Sequence, residues 1–428
     1  MTDQIFAPLV SVAPHVSRRT TCRLCGSPAL QLALALEPTP LADAYLPAER
    51  AAESLQRYPL DLHMCRECGH LQLLTVIDPQ VLYRDYVYLT SSSPGLIEHY
   101  RQYAERVTDR VRPPAGALAV EIGSNDGTLL GFFKAKGLRV LGVDPAVATA
   151  ADATARGLET LPAFFTREVG ARVRNDYGPA AIVAANNVFA HADDLGDVAD
   201  GIAAVLAPDG VFVFEVGYLV DLVEQMVFDW IYHEHLCYHS VAPLDCFLRR
   251  HGLELIDVER NQSKGGSIRA YAQALEGPRP IAPAVQELKR LEASMRLHEP
   301  DTFARFGDRI GAVKQELHTL LGGLKADGKT IAGFGASATV TTLLCHLELG
   351  DFLSFLVDDN PAKQQTLSPG YHLPVLPSSA LHEKHPDYVV VLAWRFADMI
   401  IARQGTYATA GGRFIVPLPH VQVRGAAL

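Results

Sequence analysis

The sequence predicts an α/β protein in three parts: a small N-terminal zinc module, a central doubly wound Rossmann-like domain, and a second Rossmann-like α/β domain at the C-terminal end. Three observations carry this. Two Cys-x-x-Cys pairs mark the N-terminal stretch, apolar strand-like runs alternate with helical patterns from Ala117 onward, and a second such alternation begins at Lys329. Apolar strands alternating with helices give a parallel sheet covered on both faces. We place the parts at residues 1–80, 81–248 and 249–428.

Bulk properties agree. A chain of 428 residues with 48% hydrophobic and 20% charged residues is globular and long enough for two or three cores. The net charge of -10 and a pI near 5.9 exclude the basic field that nonspecific nucleic-acid binding needs. No apolar run approaches the ~20 residues of a membrane span, and MTDQIFAPLVSVAPHVSRRT lacks a basic start followed by an apolar signal segment. A cytoplasmic protein with no nucleic-acid or membrane partner is the expectation.

Cys22-Arg-Leu-Cys25-Gly and Cys65-Arg-Glu-Cys68-Gly are two knuckles, each with a Gly that permits the tight turn. In a reducing compartment such pairs serve metal or redox work. Four thiolates suit a closed tetrahedral zinc site, which leaves no open position for substrate and therefore stabilises the fold. Cys237, Cys246 and Cys345 read as buried or incidental. Asp78 to Arg112 reads as helical connectors ending at Pro113 and Pro114, where a helix stops.

Glu121-Ile122-Gly123-Ser124-Asn125-Asp126-Gly127 follows the strand ALAVEIG and opens a helix, where doubly wound domains bind nucleotides. A dinucleotide needs Gly-x-Gly-x-x-Gly, whose second Gly admits a pyrophosphate; here that position is Asn125, and Asp126 adds negative charge. The turn disfavours phosphate and suits S-adenosylmethionine, which carries an ammonium and a sulfonium. Asp144, which ends LRVLGVD about 20 residues downstream, is placed to accept from ribose hydroxyls; a helix N-cap before Pro145 is the alternative. Asn186 and Asn187 end the next strand and should approach the methyl end of that cofactor.

Ile231-Tyr232-His233-Glu234-His235-Leu236-Cys237-Tyr238-His239-Ser240 gathers titratable groups as a site does. His235 and His239 stand four apart, but no Glu follows His235, so the zinc-protease motif is not met. Core-satisfied histidines are the alternative for this cluster and for His191.

The chain resembles the sugar C-methyltransferases of antibiotic deoxysugar pathways. The resemblance spans nearly the whole sequence: the paired knuckles, EIGSNDG, the Asn-Asn strand end with His191, Tyr232 to His235, and the stretches GFGASA and VDDNPAKQ. It implies a class I methyltransferase domain at the centre and a C-terminal domain that helps hold a nucleotide sugar. The implied reaction is deprotonation at carbon 3 of a dTDP-linked 4-keto-deoxysugar, followed by methyl transfer to that carbon. His235 matches the family's proposed base, Tyr232 and Glu234 its neighbours, and His191 a further active-site histidine; Tyr86 or Tyr88 corresponds to a family tyrosine. His233 departs from the family motif, which has Asp there. Gly335, Ala336 and Ser337 would meet the diphosphate and Asp358, Asp359 and Lys363 the base or ribose; a packing turn and a solvated surface are the respective alternatives. Two competing functions are an O- or N-methyltransferase on a related substrate and an inactive cofactor-binding partner protein.

Overall fold

The computed structural model describes residues 15–83 and 89–425. At its centre lies a seven-stranded sheet: β1 Leu118–Ile122, β2 Arg139–Val143, β3 Thr160–Leu161, β4 Ala180–Asn186, β5 Leu206–Gly217, β6 Leu253–Asn261 and β7 Ser267–Ala274. Their spatial order is β3-β2-β1-β4-β5-β7-β6. Strands β1 to β5 pair in parallel, and β7 runs antiparallel to both β5 and β6. Every residue of β1 is buried, as a strand covered on both faces requires.

Helices Thr128–Ala135, Val147–Ala155, Arg167–Tyr177 and Leu195–Val205 connect the parallel strands. Thr166 and Asp194 cap two of them, accepting from Val169 N–H at 3.2 Å and Asp197 N–H at 3.1 Å. Those two helices touch at Gly170, where a Cβ would sit 2.3 Å from the Gly201 carbonyl oxygen, so the crossing requires glycine.

The sheet continues past residue 248, where the sequence places a boundary, because the β6–β7 hairpin completes it. The expected helical stretch from Val285 to Leu324 is two helices, Pro283–Ser294 and Pro300–Ala326. Pro300 starts the second, since its ring forbids helical continuation from the preceding residue.

The N-terminal module carries a four-stranded sheet whose order is Cys237–Tyr238, Leu71–Leu73, Leu62–Cys65, Leu30–Leu34. Its edge strand thus comes from the histidine-rich segment. The C-terminal sheet runs Val375–Leu376, Leu356–Val357, Ile331–Phe334, Tyr388–Val391, Arg413–Val416, Gln422–Arg424, parallel except for its last strand. Among the described residues, no helix is long and apolar enough to cross a membrane.

Candidate active site

The four knuckle cysteines converge. Their Sγ atoms all lie within 4.8 Å of one another, with Cys22 to Cys68 at 3.6 Å and Cys25 to Cys65 at 3.5 Å. A tetrahedron with Zn–S near 2.3 Å places sulfurs roughly 3.8 Å apart, so the set fits zinc. None of the four is in a disulfide, and the hydrogen bond from the Cys68 thiol favours the Cys22 thiolate, the form a metal takes.

This module is wired to the central domain. Arg23, beside Cys22, reaches the Leu73 and Leu236 carbonyls through Nη1 and pairs with Asp193 at 2.8 Å. Leu73 N–H donates to Leu236 O at 3.0 Å, and Cys237 pairs with Gln72.

Sheet order reverses between β1 and β4, which opens a crevice at the carboxyl ends of these strands. A cavity of about 390 Å3 fills it, lined by Gly123, Asn125, Asp144, Asn186 and Asn187 among others. Gly123 has φ 66, and a Cβ there would meet Val188 Cγ2 at 2.3 Å. Asn125 and Asn187 also take the left-handed region, at φ 48 and φ 55. Asn186 Oδ1 and Asn187 Nδ2 are buried without hydrogen-bond partners among the described residues, as groups awaiting a ligand would be.

Asp144 lines the cavity and ties the turn after its strand, but it is not the helix N-cap the sequence also allowed, since Ala146 holds that position. Its Oδ1 accepts from Ala146 N–H at 2.9 Å and its Oδ2 from Asn125 N–H at 2.8 Å, while its carboxylate still lines the cavity. Glu121, Asp126 and Gly127 do not line it. Asp126 instead accepts from Thr128 N–H and Ser91 N–H, so it fixes the helix start and the preceding turn. The acidity of the cavity comes from Asp144, Asp193, Asp194, Asp197 and Glu234.

At the far wall stand Tyr232, Glu234, His235 and His191. Leu236 N–H and Cys237 N–H both donate to Ala190 O, at 2.9 and 3.1 Å, which brings the His191 and His235 rings to 5.0 Å. His235 stacks on Trp230 at 4.9 Å and meets Tyr232 at 4.0 Å. Its Nδ1–H donates to Trp230 O at 2.7 Å, which leaves Nε2 as the proton acceptor. Burial pushes its pKa down to about 3, so the ring is neutral at physiological pH. His233 turns away: Nε2 meets Pro59 O at 3.3 Å and its ring packs edge-on to Tyr58. His239 stacks on Phe189 in the core. Tyr86 and Tyr88 lie outside the described residues.

These buried imidazoles make the protein acid-sensitive. Burial holds His233 and His239 down to about 4 and His235 to about 3, whereas the unfolded chain takes up these protons near 6.5. Their stabilisation is fully present above about 6.5 and is lost as pH falls toward 4, by about 1.4 kcal/mol per unit for each ring. Thermal melts at pH 7.5 and 5.0 should show a lower Tm at pH 5.0; an unchanged Tm would refute the neutral burial.

The predicted C-terminal residues cluster elsewhere and none lines this cavity. Gly335 has φ 118, and a Cβ there would meet Ala393 N at 3.0 Å. Ala336 N–H is already used by Asp358 Oδ2 at 2.6 Å, a carboxylate where a phosphate was expected. Ser337 Oγ bonds Thr339 Oγ1 at 3.0 Å, and Lys363 pairs with Asp43 at 2.8 Å over the Tyr45 ring. The helix that follows, Ala338–His346, reaches the histidine segment through Thr342 Oγ1, which donates to Ile231 O at 2.7 Å.

Lys264 was not foreseen. It sits at the β6–β7 tip and lines the cavity beside His235; the Gly265-Gly266 pair after it was the available signal for a tight turn.

Family models match in three blocks: a zinc-binding domain over residues 22–83, a methyltransferase domain over 96–258, and the C-methyltransferase C-terminal domain over 262–419. The C-methyltransferase NovU of Streptomyces niveus is 38% identical over 406 residues, covering 95% of this chain and 97% of that relative. Among solved structures, the CcbJ methyltransferase of Streptomyces caelestis is 15% identical over 45% of this chain and 94% of its own, with a TM-score of 0.33. An S-adenosylmethionine-dependent methyltransferase from Clostridium acetobutylicum is 12% identical over 42% of this chain and 92% of its own, with a TM-score of 0.34.

Proposed function

Because this chain belongs to the C-methyltransferase family and is an S-adenosylmethionine-dependent enzyme, we propose that its acceptor is a dTDP-linked 4-keto-deoxysugar, methylated at carbon 3. The observation that carries this reading is the His235 tautomer, with Nδ1 tied to Trp230 O and Nε2 free beside an acidic cavity.

Bound in that cavity, S-adenosylmethionine supplies an electrophilic methyl group on a positively charged sulfur. Asp144 accepts from the ribose hydroxyls, Asn186 and Asn187 use their unpaired amides near the methyl end, and the acidic lining favours the cationic donor. A ketone at carbon 4 acidifies the hydrogen at carbon 3, and His235 Nε2 removes it. Tyr232 and His191 orient the sugar against that imidazole.

The test is to incubate a panel of dTDP-sugars with the protein and S-adenosylmethionine and locate the methyl group by NMR. A new carbon–carbon bond at carbon 3, formed only with 4-keto compounds, is the expected product. An O- or N-methyl product, or equal reaction of 4-hydroxy sugars, would refute the proposal.

Asp144→Ala removes a charged acceptor from the ribose end. Calorimetry should show S-adenosylmethionine affinity about 10- to 100-fold weaker. Unchanged affinity would leave Asp144 as a turn cap alone.

A further inference from the structure

An ammonium stands in the acidic cavity. Among the described residues that line it, Lys264 is the one lysine or arginine, against five carboxylates. It also lines an adjoining recess of about 40 Å3 with His191, Trp230 and His235. Its Nζ lies 5.8 Å from the centroid of the Trp230 ring on which His235 stacks. Among the described residues no carboxylate forms a salt bridge with it; Glu215 on β5 and Glu234 beside His235 act on it only through longer-range attraction.

The backbone holds this side chain in place. Lys264 has φ 53 and ψ 27, a left-handed conformation that costs a lysine about 1 kcal/mol or more. Gly265 and Gly266 follow at φ 91 and φ 117. A Cβ on Gly266 would stand 2.2 Å from Asp221 Cβ, and one on Gly265 2.8 Å from Arg395 Cδ, so helix Leu219–Glu224 and the C-terminal domain clamp the tip. Strain kept by its surroundings is characteristic of functional sites.

We propose that Lys264 is a catalytic residue whose ammonium takes up the negative charge that forms on the acceptor's carbonyl oxygen. This rests on the keto-sugar reading above. His235 Nε2 takes the proton from carbon 3, the C–H pair becomes the carbon–carbon double bond, and the carbonyl π pair moves to oxygen, where Lys264 donates. The pair on carbon 3 then forms the bond to methyl, the carbon–sulfur pair stays with sulfur, and the carbonyl re-forms.

The charges are arranged for this. Burial and the Lys264 charge both make His235 hard to protonate. An oxyanion between the two cations removes that penalty, so proton transfer and charge uptake support each other. Burial also brings Lys264 down to about 8 against the pull of Glu215 and Glu234, which makes it a weakly hydrated donor. His191 and His235 face it as neutral rings, and Asp221 and Arg395 pack on the adjacent glycines.

The experiment is hydrogen–deuterium exchange at carbon 3 of a saturating 4-keto-sugar without any methyl donor, for wild type, Lys264→Met and Lys264→Arg. Affinities for S-adenosylmethionine and for dTDP are measured alongside, and report folding. Lys264→Met should slow exchange about 100- to 1,000-fold while both affinities stay within about threefold. Wild-type exchange should decline as pH rises through about 8, and Lys264→Arg should move that decline upward. Wild-type exchange rates in Lys264→Met would overturn the proposal. So would a wild-type rate that rises through this pH, the mark of a neutral amine acting as base. A tenfold loss of dTDP affinity with exchange intact would also overturn it, by placing the ammonium on the diphosphate. If the wild type neither exchanges nor methylates any keto-sugar, the keto-sugar reading fails instead.

Discussion

His235→Ala should abolish exchange of the carbon 3 hydrogen and lower methyl transfer by about 100- to 10,000-fold, the range for removal of a positioned base. Three contacts define the role. Trp230 O fixes the tautomer at 2.7 Å, the Trp230 ring supports one face, and Ala190 O holds the next two residues of the segment. The alanine variant loses the two contacts made by the imidazole but keeps the backbone bonds to Ala190 O that hold the segment, so S-adenosylmethionine affinity should stay within about twofold. Exchange at the wild-type rate in His235→Ala would remove this imidazole from the chemistry. The matched control is His233→Ala, whose ring faces Pro59 and Tyr58; its effect should fall on stability and leave the exchange rate of folded protein near wild type.

Zinc removal should be nearly as damaging. A chelator strong enough to strip four thiolates should release one ion per chain and lower Tm by on the order of 10 °C or more, because metal binding supplies folding free energy to a small module. Activity should disappear in the same step. Arg23 and Leu73 both hold the Leu236 carbonyl, directly after the proposed base, and Arg23 also binds Asp193 on the cavity wall. Cys65→Ser should reproduce both losses. A zinc-free protein with normal Tm and full methyl transfer would show that the cluster is incidental to the site.

How much of this was legible in the sequence follows from the physics of each element. Strands such as Leu118–Ile122 read clearly because a strand buried on both faces must be apolar throughout. The β6–β7 hairpin did not, since Glu254, Asp257, Glu259, Arg260 and Arg269 interrupt its apolar pattern, although it completes the central sheet. Asp126 looked like a cofactor contact by position, yet Thr128 and Ser91 amides claim its carboxylate. Sequence order could not foresee that, because Ser91 lies on a distant turn. Lys264 was equally hidden: a lone lysine on a loop is ordinarily solvated, and only the clamp on Gly265 and Gly266 turns it inward. The cysteine cluster was legible because each Cys-x-x-Cys turn offers two sulfurs to one ion and two such turns make a four-sulfur set; that the two knuckles meet is shown by their sulfurs, all within 4.8 Å of one another.

The borrowed strand Cys237–Tyr238 has a consequence for biogenesis. A nascent chain emerging from the ribosome exposes one edge of Leu71–Leu73 unpaired until Tyr238 has been made, because among the described residues no earlier segment pairs with that edge in the finished sheet. Exposed edges of that kind recruit foreign strands. Synthesis halted anywhere before Cys237 should therefore yield sticky, chaperone-dependent fragments even when their cysteines have captured metal.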